Sequence, residues 1–264
     1  MKKLMVGVFS ILMLLLTSGY AATPSEVGIV FLHGKGGSPN FHILEKFTSK
    51  MSEKGYEVIV PRFPWGGSIG KADYSGSLDD AFKVLDQEIS KLKELGRKKI
   101  ILAGHSMGTP VAIAYLSKNP SVDGVIGIAP GHFVGSTFHD KFVYFDVKKA
   151  RQAVESGAGG DPLRVEDYNS GRRRFQMDVK AKDYLSFFDP DGPMNFASSL
   201  QKMGSTPFLW IAPDADPVTK SGMASDYFSK VPKTPKSKFI EIEAEHINAP
   251  VKGIKEIHQW ILDL

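Results

Sequence analysis

The sequence predicts an α/β protein in which helices cover both faces of one doubly wound, mostly parallel sheet of six strands. Three observations point there. Short apolar runs such as Val27 to Leu32 and Ile100 to Ala103 lack the alternation of a half-exposed strand, so they read as strands buried on both faces. Apolar residues at helical spacing separate these runs, as in Leu78, Phe82, Leu85, Ile89 and Leu92. Glycine or proline then closes the segments, as Gly55, Pro61 and Gly96 do. In such a sheet the crossovers are right-handed and ligands gather at the C-terminal strand ends.

A chain of 264 residues, 42% of them hydrophobic, can bury the core of one large domain. The formal net charge is +4, and two of those charges, Lys2 and Lys3, lie in a segment expected to be removed. So mild a balance gives no case for nucleic acid or an anionic membrane as partner. Cysteine is absent, which excludes disulfides, thiolate catalysis, cysteine-ligated zinc and an N-terminal lipid-bearing cysteine. His42, His139 and His258 have no metal-ligand spacing, so neither a metal nor a cofactor is expected.

Taken in order, residues 1–21 read as a secretory signal. Lys2 and Lys3 form its charged start, and Leu4 to Leu16 is an apolar run too short for a comfortable membrane span. Cleavage after Ala21 puts Gly19 at the −3 position. The mature chain, 22–264, is then one periplasmic or secreted domain without a stable membrane anchor; the rival is an uncleaved N-terminal anchor. Val27 to Leu32 is the first strand. A helix follows from Ser38-Pro39-Asn40, carrying Phe41, Leu44, Phe47 and Met51. Tyr56 to Val60 is a strand that ends in the aromatic loop Phe63 to Gly67. Ser77 caps the next helix, with Asp79 and Asp80 in its first turn.

The stretch from Lys98 to Thr109, KKIILAGHSMGT, is a buried strand, then Gly-x-Ser-x-Gly, then the start of a helix. That succession is the nucleophile elbow, in which a tight turn lifts a serine hydroxyl clear of the sheet. Val122 to Ile128 is the next strand, entering Ala129-Pro130-Gly131-His132. From 133 to 203 the rhythm breaks, and this stretch reads as a helical insertion: a helix near Asp146 to Ser156, a flexible patch from Gly157 to Pro162, the basic run Arg172 to Arg174, then clustered aromatics. The basic run reads as solvated surface, and Phe187-Phe188 as local core in preference to an acyl-binding wall. Pro207 to Ala212 and Lys238 to Ile242 are the last strands, with a helix over Gly222 to Lys230 between them and a final helix running to the terminus.

Four segments together resemble the α/β-hydrolase superfamily: HGKGG at 33–37, GHSMG at 104–108, PDADP at 213–217 and EHINAP at 245–250. The resemblance runs from Val27 to Leu264 apart from the insertion, and DYLSFFDPDGP at 183–193 resembles a little-characterised bacterial branch. It implies a version of that fold lacking the first two strands. It also implies a Ser-acid-His triad in chain order. Ser106 is then the nucleophile and His246 its base. Asp216 is the acid, with Asp214 as the rival two residues away. The oxyanion-hole donors are the Met107 and Lys35 N–H groups, with Gly36 second to Lys35. The Lys35 side chain is expected to face solvent and that of His105 to face away from substrate. His33 reads first as a ring bonded to loop backbone and second as a substrate contact, and Trp65 and His132 are placed at the substrate.

The implied activity is that of a serine hydrolase acting on ester-type bonds of a small acyl substrate through an acyl-enzyme. The alternatives are an amidase, thioesterase or peptidase using the same triad, or a binding module that keeps the fold without catalysis. Oligomeric state is open.

Overall fold

The computed structural model describes residues 22–264 apart from 69–70, 119–121, 170–172 and 220–221. The expected leader, 1–21, lies outside the described residues, as do Arg172 and the side chains at 173 and 174. Among the described residues no helix is long and apolar enough to cross a membrane.

In chain order the elements begin with β1 (Val27–Leu32), α1 (His42–Ser52) and β2 (Glu57–Ile59). The short strands β3 (Gly67–Ser68) and β4 (Lys71–Ala72) follow, then α2 (Leu78–Glu94), β5 (Lys99–His105), α3 (Gly108–Lys118) and β6 (Gly124–Ile128). Next come α4 (Thr137–Glu155), β7 (Pro162–Asn169), β8 (Arg173–Lys180), α5 (Ala181–Phe188) and α6 (Phe196–Gln201). The chain closes with β9 (Phe208–Ala215), α7 (Met223–Phe228), β10 (Lys238–Glu245), α8 (Ala249–Lys252) and α9 (Ile254–Leu262).

Six strands form one sheet in the order β10-β9-β6-β5-β1-β2, and every neighbouring pair is parallel. Helices α1, α8 and α9 bury Leu44, Phe47, Met51, Ile257 and Trp260 against one face. Helices α2 and α3 and the insertion cover the other, with Phe82, Leu85, Val111, Tyr184 and Phe196 among the buried residues. Two-sided burial explains the unbroken apolar runs of β1, β5 and β6. Ser77 caps α2 as its sequence suggests, its hydroxyl accepting from the Asp80 N–H at 3.2 Å.

The departures have local causes. Helix α1 starts at His42, beyond the Ser38-Pro39-Asn40 turn. Helix α4 begins nine residues earlier than the expected Asp146, because Ser136 caps it and accepts the His139 N–H. The insertion is not purely helical: β7 and β8 form an antiparallel hairpin that begins at Pro162, where the patch read as flexible ends, and takes in Arg173 and Arg174 of the basic run. It is also packed rather than loose, since Phe187 meets Trp65 and Tyr74 with ring centroids 6.0 and 5.4 Å apart. The C-terminal helix breaks at Gly253 into α8 and α9.

Candidate active site

Five strand ends converge at one edge of the sheet. His33 follows β1, Ser106 follows β5, the Ala129–His132 loop follows β6, Asp216 follows β9 and His246 follows β10.

The elbow is held by close backbone approach. A Cβ on Gly108 would lie 2.2 Å from the Leu32 carbonyl oxygen, and one on Gly104 would lie 2.5 Å from the Gly108 backbone. Neither position can carry a side chain without moving main chain. Ser106 itself takes φ +53°, a left-handed conformation that costs a non-glycine residue on the order of 1 kcal/mol. The surroundings hold it there: its N–H donates to the Ile128 carbonyl at 3.0 Å. Ala129 and His132, at φ +46° and +58°, lie in the loop beside it, so strained backbone is concentrated around the serine.

Asp216 and His246 meet because of a register shift. Strands β9 and β10 pair Ile242 with Pro213 but Glu245 with Ala215, so β10 carries one extra residue between those rungs. One step beyond Ala215 and Glu245 lie Asp216 and His246. Without the bulge Glu245 would oppose Asp216. His246 Nδ1 lies 3.0 Å from each Asp216 carboxylate oxygen. An ionised carboxylate only accepts, so Nδ1–H is the donor and Nε2 is left with its lone pair free. Asp214 is engaged elsewhere, its Oδ1 accepting the Ala244 N–H within the bulge at 3.0 Å.

Ser106 and His246 line one cavity of about 230 Å³, together with Gly34, Phe41 and Val218. No hydrogen bond joins Ser106 Oγ to His246; bonds of this kind commonly tighten only once substrate is seated. Gly36 donates its N–H to the Trp65 carbonyl at 3.0 Å and Gly37 donates to that of Gly34 at 3.0 Å. The Lys35 and Met107 N–H groups have no partner among the described residues, and Met107 immediately precedes the start of α3. One unspent donor at the start of α3 and a second in the loop after β1 are suited to a developing oxyanion.

His33 is buried, and its Nδ1–H donates to the Gly34 carbonyl at 2.9 Å. Burial lowers its pKa to about 4, so the ring is neutral and braces the loop. Trp65, expected at the substrate, is fully buried and lines neither cavity beside Ser106. It stacks on Phe63 at 4.5 Å and donates Nε1–H to the His33 carbonyl at 2.9 Å. His132 does line a cavity, a smaller one of about 50 Å³ that Ser106 also lines, and its Nε2–H donates to the Phe187 carbonyl at 2.9 Å. Phe187 and Phe188 are core and line neither cavity.

Two further placements correct the sequence reading. The Lys35 side chain does not face solvent: Nζ is 2.6 Å from Asp167 of the hairpin, and the side chain is only 10% exposed. His105, expected to face away from substrate, lines the same cavity as Ser106 and His246. Its Nε2–H donates to the His246 carbonyl at 2.9 Å, and a histidine beside an elbow serine gives no sequence signal of that bond. Among the described residues no group of three or more histidines and carboxylates is arranged to hold a metal ion.

Known proteins share this fold. Residues 23–246 match the family model described as serine aminopeptidase, S33. The chain belongs to this family of α/β hydrolases. No curated protein sequence matches it. A monoacylglycerol lipase from Paleococcus ferrophilus shares the fold of this S33-family hydrolase at 19% identity and a TM-score of 0.66, over 91% of this chain and 96% of that one. An esterase of Pyrococcus furiosus superposes with a TM-score of 0.57 at 18% identity, covering 90% and 81%. The thioesterase domain from the curacin biosynthetic pathway gives 0.57 at 17% identity, covering 91% and 92%. At such identities these likenesses speak to the fold alone.

Proposed function

We propose that this hydrolase cleaves ester-type bonds through Ser106, His246 and Asp216. The observation that carries the reading is the paired contact of Asp216 with His246 Nδ1, in a cavity that His246 shares with a strained Ser106. Ser106 Oγ attacks the acyl carbonyl as His246 Nε2 takes its proton. The Met107 and Lys35 N–H groups receive the charge on the oxygen, each worth about 10²–10³ in rate. His246 then returns the proton to the leaving group, and water repeats the sequence on the acyl-enzyme.

Esters are favoured over peptides with a free N-terminus. An aminopeptidase site must hold an ammonium group, for which a carboxylate is the natural partner. Among the described residues no aspartate or glutamate lines either cavity beside Ser106, whereas Lys35 lines both. The same arrangement could cleave thioesters, and a panel of matched oxygen esters, thioesters and anilides separates these outcomes. Ser106→Ala should lose about 10⁶ in turnover on whichever is cleaved, by analogy with other triads. We further propose export to the periplasm or beyond, with processing after Ala21; N-terminal sequencing of the exported protein tests that.

A further inference from the structure

We propose that Lys35 sets acyl specificity, its ammonium donating a hydrogen bond to a neutral oxygen on a short acyl chain. This rests on the serine-hydrolase reading above.

The two cavities that meet at Ser106 have different roles in that reading. His246 must hand its proton to the leaving group, so the leaving group occupies the cavity that His246 lines. The cavity lined by Ser106 and Met107 but not by His246 is left for the acyl chain. At about 50 Å³ it admits a short chain.

Its walls are apolar along Met107, Phe133, Phe138 and Val218, yet Lys35 stands among them. The ammonium is fixed rather than mobile. It donates to Asp167 Oδ1 at 2.6 Å and to the Tyr168 carbonyl at 3.1 Å, and the Phe188 ring lies 5.4 Å away. An ammonium has three N–H bonds, and the third has no oxygen or nitrogen partner among the described residues. A plain alkyl chain filling the cavity would take water from that donor and give nothing back. An oxygen on the chain would replace the water.

The charge already present selects the kind of oxygen. Asp167 is fully buried and offsets the ammonium, so a carboxylate on the substrate would bring a second buried negative charge. The two imidazoles on the wall, His132 and His139, add no positive charge, because burial holds both neutral. A hydroxyl or oxo group is therefore the matched chemistry.

The test compares 4-nitrophenyl 3-hydroxybutyrate with 4-nitrophenyl 3-methylbutyrate, which has the same shape with a methyl in place of the hydroxyl. Each kcat/KM is normalised to spontaneous hydrolysis. Wild type should favour the hydroxy ester about tenfold or more. Lys35→Met should bring the ratio to one or below; being internal to each protein, the ratio is insensitive to any general loss from a disturbed oxyanion loop. Should Lys35→Met not fold, the wild-type ratio decides alone. A ratio of one in wild type, retention of the preference in Lys35→Met, or faster cleavage of the hemisuccinate ester than of either would overturn the assignment. If a fluorophosphonate labels Ser106 and esters are cleaved without the preference, only the acyl assignment falls. If no ester is cleaved and Ser106 is unlabelled, the serine-hydrolase reading itself has failed, and this inference with it.

Discussion

His105 Nε2 donates to the His246 carbonyl at 2.9 Å, tying the residue before Ser106 to the backbone of His246. The two rings lie 5.0 Å apart. The elbow and the β10 loop are thus positioned against each other rather than separately. His105→Ala should displace the base and lower kcat by about 10–100-fold, with less change in KM, since an ångström of misplacement costs about that much. Fluorophosphonate labelling should slow by a similar factor. An unchanged labelling rate in a folded variant would show the bond to be dispensable.

The two aspartates of the β9 exit should separate cleanly. Asp216→Asn removes the acceptor that fixes the His246 tautomer and should lower kcat about 10⁴-fold. Asp214→Asn keeps an acceptor for the Ala244 N–H and should leave turnover within a few-fold of wild type. Asp214→Ala removes that acceptor and should cost about 1 kcal/mol of stability, read by urea unfolding. Equal kinetic losses in the two Asn variants would contradict these roles.

The framework was legible because its signals are local. Buried strands show as apolar runs, and the elbow shows as a strand, two glycines and a helix. Candidates for acid and base stood in chain order. The choice between Asp214 and Asp216 was not decidable from residues alone, because it depends on a bulge between Ile242 and Glu245 that leaves no mark in the sequence. The Lys35 side chain was misplaced for a related reason: its partner Asp167 is 132 residues away, in a hairpin whose strands do not stand out from the sequence. A signal for that hairpin existed. Val165, Asp167, Met177 and Val179 are buried at alternate positions, but polar residues between them and nearby glycines obscured the period. A loop leaving a strand end points to the substrate for Trp65, but its stacking on Phe63 and its bond to His33 turn it inward.

Acid should destabilise the fold through its buried imidazoles. His33 titrates near 4 and His105 near 3 in the folded protein, both depressed chiefly by burial, against an ordinary 6.5. The unfolded chain therefore takes up these protons first as pH falls. Their contribution is complete above about pH 6.5 and is lost progressively below it, down to the folded values, at about 1.4 kcal/mol per pH unit for each ring. His33→Asn keeps a donor for the Gly34 carbonyl but does not titrate, so its urea stability should fall less steeply between pH 6.5 and 4. A slope equal to wild type would show that His33 is not held neutral.

Gly108→Ala should abolish or severely weaken folding, by more than about 4 kcal/mol, because its Cβ would collide with the Leu32 main chain rather than with a side chain that can swing away. Thermal melting of the soluble fraction measures this. A variant melting within a few degrees of wild type would mean that β1 and the elbow can separate.

The most direct measurement is intact-mass analysis of the folded protein after exposure to a fluorophosphonate, followed by peptide mapping. A single adduct on Ser106 is expected, absent from Ser106→Ala and much slower to form in His246→Ala. A folded protein that takes up no label, or takes it up at another residue, would contradict it.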